Sequence, residues 1–476
     1  MTESTATPTT PAVIELATAD AECRPEGVDA LTPLLRRVVG RLHALRPRLR
    51  EVAEGGPQAG AVEWLVDNWF IIADAMRRVE RDLPGHFARQ LPRRAASPDV
   101  GLPRAWRLAR LMIGAAGDFL EPSQGAVLVE EYQRRTPLTL GELWAIPALL
   151  RLAILEDLAA CAAHFAGTPT GAAERGAVDA PVITETRVAA CVTGLRRIAT
   201  YDWKTFVEAA SRIEALLRQD PAGAHARGDF ATRDRYRKVV EQLARWAATD
   251  ERVVAAEALA LSREAAATDR ARHVGYFLVD AGRATLERRL GCAIPRRVRW
   301  RRWIERHATA SYLGAVMTLT VALAMPPVLH VRDAGTGLFN VAVVALLVIV
   351  PALGVAVPAV NWLVTQIFPP RLLPRLDFED GVPAECRTLV AVPTLLTIRA
   401  DVDAMLRQLE LNYQGNADPA IRFVLLADAP DAATPETPED APLLAAARAG
   451  VDALNRRYAS DGDAPFLLLY RPRRWN

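Results

Sequence analysis

Two stretches in the second half of the chain limit what it can fold into more than any other feature. Residues 308–330, ATASYLGAVMTLTVALAMPPVLH, carry no charged side chain before the final His, and residues 338–368, LFNVAVVALLVIVPALGVAVPAVNWLVTQIF, carry none at all. Each exceeds the roughly 20 apolar residues that a helix needs to cross a bilayer. One such helix could be the core of a soluble domain. Two in succession, joined only by the polar VRDAGTG, read as a membrane hairpin. Arginine-rich IPRRVRWRRWIER precedes the first span, and Arg371 and Arg375 follow the second. Arginine excess on both outer flanks, against a joint with one Arg and one Asp, predicts that both ends lie in the cytoplasm. Trp300, Trp303 and Trp362 fit interfacial anchors, and Asn340 and Asn361 read as interfacial rather than functional.

The rest of the chain is long enough for further domains. Of its 476 residues, 58 are Lys or Arg and 56 are Asp or Glu, a net charge of +2 that gives no reason to invoke nucleic acid. The five cysteines, Cys23, Cys161, Cys191, Cys292 and Cys386, show no CxxC or metal spacing and are expected as reduced structural thiols. The seven histidines form no HxxxH or HExxH pair, so a zinc site is not supported. The Thr/Pro-rich start has neither the basic nor the apolar region of a signal peptide, and residues 1–30 are expected as a disordered tail.

Residues 31–166 show helical periodicity. AVEWLVDNWFIIADAMRRVERDL puts Trp64, Leu65, Asn68, Ile71, Ile72 and Met76 near one stripe and predicts one helix over 61–83, stopped by Pro84-Gly85. Further helices are expected over 104–117 and 124–134. Thr139 with Glu142 predicts a capping box, and Pro147 a kink in the helix that follows. Residues 167–181 read as a linker, and 182–307 as a second helical region whose aromatic stripes are helix-packing core.

The pattern changes again over 369–476. RTLVAVPTLLT and IRFVLLADAPDA are β-branched or apolar runs, and FLLLYRPRRWN is a third. Amphipathic helices lie between them. Strand, helix, strand, helix, strand means a parallel α/β sheet. Ligands of such sheets bind at the carboxyl ends of the strands, and three ends stand out. They are Pro393 with Thr394, Asp428 with Asp431, and Arg471 with Arg473 and Arg474. A Pro-Thr turn can shape a base pocket, a carboxylate can accept from a uracil N–H or a ribose hydroxyl, and arginine can pair with a diphosphate. The plain alternative is ordinary loop residues. No GxGxxG or GxxxxGK[ST] is present, which disfavours a dinucleotide or P-loop site.

Several longer blocks carry a resemblance. WLVDNWFII, LPGHFARQLP, EEYQRRTPLTLGELWAIPALLRLAILEDL, DPAGAHARGDFATRDRYR, HVGYFLVDAGRATLE, LPRLDFEDGVPAECRTLVAVPTLLT and RYASDGDAPFLLLYRPRRWN are similar to the amino-terminal part of cyclic β-1,2-glucan synthases. The likeness runs from about Ala61 to the last residue, with a local departure at AGAHARGDF. It implies a bacterial inner-membrane glycosyltransferase that uses UDP-glucose, glucosylates itself, extends a β-1,2-linked glucan and closes it into a ring. It also implies a divalent metal, Mg or Mn, held by an Asp-x-Asp motif beyond RRWN, so that this chain holds no metal by itself.

The expected fold class is therefore a multi-domain membrane protein. A mostly helical cytoplasmic region leads into two transmembrane helices and then an incomplete α/β half-domain of the glycosyltransferase A type. The strand ends make Pro393, Thr394 and Asp428 the residues expected to touch the nucleotide, with Asp431 and Arg474 behind them, and no catalytic residue is expected in this chain. The expected partners are UDP-glucose, glucan and the lipid bilayer. As a fragment the chain is expected to be inactive alone. The alternative from another class is a non-catalytic, membrane-anchored helical interaction module.

Overall fold

The computed structural model describes the chain except residues 1–9, 22, 24–26, 56–58, 95–98, 114–121, 169–183, 266–269, 369, 371, 460–463 and 474–476. Most of the 167–181 linker, the flanking Arg371 and the site candidate Arg474 lie outside the described residues. The described chain is mostly helical, with a small parallel sheet, and divides into two compact units. The first unit comprises Met1–Ala226 and Arg233–Leu372, and the second Arg227–Thr232 and Leu373–Asn476.

The first unit is built on helix α1, Leu140–Phe165, of whose 26 residues 20 are buried. A helix apolar on every side is stable only when covered all round. Helices Leu31–Gly55, Trp69–Asp82, Arg104–Leu111 and Glu185–Thr200 pack against it. The expected capping box forms: the Glu142 amide donates to Thr139 Oγ1 at 3.2 Å, and the Thr139 amide donates to Glu142 Oε2 at 2.9 Å. Pro147 is accommodated inside the helix.

Two expectations for this unit are corrected. Residues 10–19, placed in a disordered tail, form helix Thr10–Ala19, with Val13, Leu16 and Ala17 buried at i, i+3, i+4 spacing. Asp20 behind it is buried, lies 2.9 Å from Arg94 and accepts a 3.0 Å hydrogen bond from Tyr132. Residues 61–83 are not one helix. Ala59–Asp67 and Trp69–Asp82 are separated at Asn68, whose side-chain amide donates to the Trp64 carbonyl, a bond that competes with the helical ladder. The break turns the second helix so that Trp69, Ile72, Ala75, Met76 and Val79 face the core, while Trp64 and Phe70 are exposed.

The same unit ends in helix α2, Arg296–Arg306, then α3, Ala308–Asp333, and α4, Leu338–Ile367. The last two pack against each other and are long and apolar enough to cross a membrane. Only 11% of each most apolar window is buried, unlike a soluble core helix, which would be mostly covered. Between them, the Tyr312 hydroxyl donates to Asn361 Oδ1 at 3.0 Å, so Asn361 spends its polarity on the partner helix.

The second unit contains strands β1, Thr388–Leu395, β2, Ile421–Asp428, and β3, Phe466–Arg471, parallel and in the order β1-β2-β3. Helices α5, Arg399–Gly415, and α6, Asp440–Tyr458, form the two crossovers. Val402 and Leu409 of α5 and Ala446, Ala447 and Val451 of α6 join Phe423, Leu425, Ala427 and Phe466 in one core, so both helices cover the same face. The other face is open: Leu389, Leu395, Leu426, Leu467 and Leu469 are 40–52% exposed. Parallel sheets normally bury both faces. Residues Arg227–Thr232 belong to this unit, where Gly228 bridges Leu376, the Asp229 amide donates to the Arg375 carbonyl and the Asp377 amide to the Arg227 carbonyl. The block AGAHARGDF thus runs into a pairing segment.

Candidate functional site

Parallel register brings the predicted strand ends together. Pro393 pairs with Leu426, Thr394 with Ala427 and Leu395 with Asp428, and Asp428 in turn pairs with Arg471. Side chains alternate along a strand while partners in register share a face. Pro393, Asp428 and Arg471 therefore lie on the open face, at its carboxyl edge. Pro393 is tolerated inside β1 because β1 is an edge strand. Thr394 lies on the other face: it is 8% exposed, and its hydroxyl donates to Met405 Sδ of α5. The Pro-Thr pair is part of the strand rather than a turn beyond it, and its two members point apart.

Asp428 is not a free carboxylate. Arg471 Nε and Nη2 donate to its two oxygens at 3.0 and 2.7 Å, a bidentate fork. The arginine side chain remains 77% exposed against 29% for the aspartate, and Nη1 carries no partner among the described residues. The pair presents a positioned guanidinium to solvent on the open face, a suitable donor for a phosphate, with Asp428 beneath it. Arg473 is held elsewhere: Nη2 donates to Asp440 Oδ1 at 2.8 Å, and Nε to the Pro430 carbonyl. The bond from Arg473 holds the Asp440 carboxyl below the usual carboxylate range. Asp431 is exposed, and its charge reaches Arg473. The geometry joins Pro393, Asp428 and Arg471, sets Asp431 beside Arg473, and turns Thr394 away.

Sequence reading missed a second polar constellation, buried in the first unit. Glu214, 1% exposed, receives Arg237 Nη1 at 2.7 Å and Arg218 Nε at 2.9 Å, and His225 Nε2 lies 3.2 Å from both its oxygens. Burial pushes its carboxyl up, but His225 and Arg237 outweigh burial and hold it at about 2. Glu208 binds Arg233 and Arg237 alongside. Asp220 accepts from the amides of Ala224, His225 and Val274 and lies 2.8 Å from His273 Nδ1, whose Nε2 lies 3.1 Å from the Tyr236 hydroxyl. Tyr236 is 1% exposed, so this chain of groups ends in the core and acts on packing rather than on a ligand. Its members span residues 208 to 273 at no motif spacing, which is why the pattern did not reveal them.

Among the described residues no group of three or more His, Cys, Asp or Glu side chains is arranged to hold a metal ion.

No family model matches the chain. Among curated proteins it is similar to the cyclic beta-(1,2)-glucan synthase NdvB of Rhizobium meliloti (strain 1021), with 29% identity over 517 aligned positions. The match covers 91% of this chain and 18% of that relative, so the chain spans less than a fifth of the relative's length. With 91% of the chain matched, the similarity reaches both units and supports a homologue of that relative.

Proposed function

We propose that this chain supplies the membrane hairpin and the nucleotide-binding half of a glycosyltransferase that makes cyclic β-1,2-glucan from UDP-glucose. The observation that carries the reading is the convergence of Pro393, Asp428 and Arg471 on the open face of a parallel sheet, at its carboxyl edge. That is where α/β sheets take their ligands. Asp428 accepts from the nucleoside, Arg471 meets the diphosphate, and Asp431 borders the site; Arg474, expected beside them from the sequence, lies outside the described residues.

The uncovered leucines of the same face support the fragment reading: further strands or helices of a longer enzyme cover them and bring the metal-binding carboxylates. The chain is then a multi-pass inner-membrane protein with both termini in the cytoplasm, supported by the arginines that flank the hairpin. A purely structural membrane-anchored helical module is not favoured, because the similarity to a glucan synthase extends across the sheet as well as the helices.

The test is transfer of label from UDP-glucose in the presence of Mg²⁺ or Mn²⁺. An enzyme extending past Asn476 gives labelled glucan, and this chain alone gives none. Metal-dependent incorporation by the isolated chain would show that the active site is misplaced.

A further inference from the structure

The loop from β2 to α6, residues 429–439, carries Asp431 and has no helix or strand of its own. Residues 431–436 are all exposed. Such a loop keeps one path only where something ties it down. Two bonds are local: Thr434 Oγ1 donates to the Glu436 carbonyl at 2.8 Å, and the Thr437 amide to Asp440 Oδ2 at 2.8 Å. Among the described residues, the one hydrogen bond that reaches residues 429–436 from outside the loop comes from Arg473, whose Nε donates to the Pro430 carbonyl. The same guanidinium grips the far end. Nη2 donates to Asp440 Oδ1 at 2.8 Å, and Nη1 to Asp440 Oδ2. One side chain just past β3 thus holds Pro430, two residues beyond Asp428, and Asp440, the first residue of α6.

In sequence Arg471 and Arg473 are equivalent candidates to meet a diphosphate. The structure separates them. Arg471 is 77% exposed, whereas Arg473 is 11% exposed and its partner Asp440 14%. All three nitrogens of Arg473 already donate, two of them to a carboxylate, so a phosphate would have to displace Asp440. A planar fork can make these three bonds at once, and a lysine ammonium cannot. Pro430 adjoins Asp431, so fixing the Pro430 carbonyl fixes where Asp431 leaves the sheet edge.

We propose that Arg473 is a positioning residue, a latch that closes the loop between β2 and α6 and so sets Asp431 at the border of the nucleotide site, without itself meeting the diphosphate. The inference rests on the nucleotide-site reading given above and adds to it the residue that shapes the site's mobile side.

UDP affinity and melting temperature are measured side by side in the complete enzyme, the protein extending past Asn476. Arg473→Met and the isosteric Asp440→Asn each weaken UDP binding roughly fivefold, the size of one hydrogen bond lost. Arg473→Lys keeps the charge and weakens binding as much, since an ammonium cannot span Pro430 and Asp440. Asp431→Asn gives a similar loss, and adding Arg473→Met to it gives no further loss, because both act through one contact. Additive losses, or UDP affinity kept in Arg473→Met whatever its melting temperature, overturn the latch. Tighter UDP binding in Asp440→Asn also overturns it, because that result marks Arg473 as a phosphate ligand freed from its carboxylate. Asp428→Asn separates the latch from the site it serves. If it weakens UDP binding while Arg473→Met does not, the latch alone fails; if both are silent, the nucleotide site fails with it.

Discussion

Glu214→Gln probes the buried cluster of the first unit. The change keeps the shape of the side chain and removes its charge. Arg237, fully buried, then loses its 2.7 Å partner and keeps Glu208 at 2.9 Å, while Arg218 loses its 2.9 Å acceptor. Breaking a buried ion pair from one side costs about 3–5 kcal/mol, and the surviving Glu208 contact points to the lower end, about 3 kcal/mol. An independent route gives the same size. The folded carboxyl titrates at about 2 against an ordinary 4.5. A difference of roughly 2.5 pH units corresponds to about 3 kcal/mol. Because the folded value is depressed, this stability is fully present above pH 4.5 and is lost as the pH falls towards 2. Thermal melts of the full chain in detergent, followed by far-UV circular dichroism at pH 7, should show the variant melting roughly 4 °C lower. The wild-type chain should approach the variant as the pH is lowered through 4 towards 2. A loss below about 1 kcal/mol at pH 7, the size expected of a surface pair such as Asp74 with Arg78, would refute the claim that the cluster holds this unit together. Pairing Glu214→Gln with Arg237→Met should recover part of the loss, since two apolar-compatible changes leave no stranded charge.

Three further outcomes are expected. Burial pushes the Glu251 carboxyl up to about 7, with Glu241 and Glu142 adding to it, although the Leu140 amide donates to it at 2.9 Å. With the folded value raised, the wild type loses stability as the pH climbs from 4.5 through 7, so Glu251→Gln should be more stable by about 3 kcal/mol at pH 8 and equal at pH 4 in paired denaturation curves. Thr139→Ala removes the capping box of α1 and should cost about 1 kcal/mol in the same assay. In a cysteine-free background, Gly335→Cys should react with an impermeant thiol reagent added outside cells and Arg299→Cys should not, the reverse pattern refuting the cytoplasmic placement of both ends.

The parts of the fold that were legible in sequence are those where one local pattern decides the outcome. Uncharged length gave α3 and α4, the run of alternating apolar strands and amphipathic helices gave the parallel sheet, and Thr139 with Glu142 gave the cap. What was not legible depends on partners far along the chain or on a single side chain. Helix Thr10–Ala19 has a composition that reads as a tail, and its order comes from contacts such as Asp20 with Arg94 and Tyr132. Asn68 breaks a helix that periodicity alone would continue. At the candidate site the strand ends were readable, but the direction of Thr394 follows from pleat register, and the fork from Arg471 to Asp428 joins residues 43 apart. Buried Glu214 was invisible because its partners Arg218, His225 and Arg237 come from three separate stretches.

The central claim is that Asp428 and Arg471 form one wall of a nucleotide site. Affinity for UDP, measured beside melting temperature in the complete enzyme with and without Asp428→Asn, tests it most directly. The ion pair is partly exposed, so its loss should cost no more than about 1 kcal/mol of stability. Loss of a charged hydrogen bond to the nucleotide should weaken UDP binding by about 1.5–3 kcal/mol, or roughly 10-fold to 100-fold. The account predicts that weakening with a nearly unchanged melting temperature. Unchanged UDP affinity with a lowered melting temperature would contradict it and reduce Asp428 to a structural partner of Arg471.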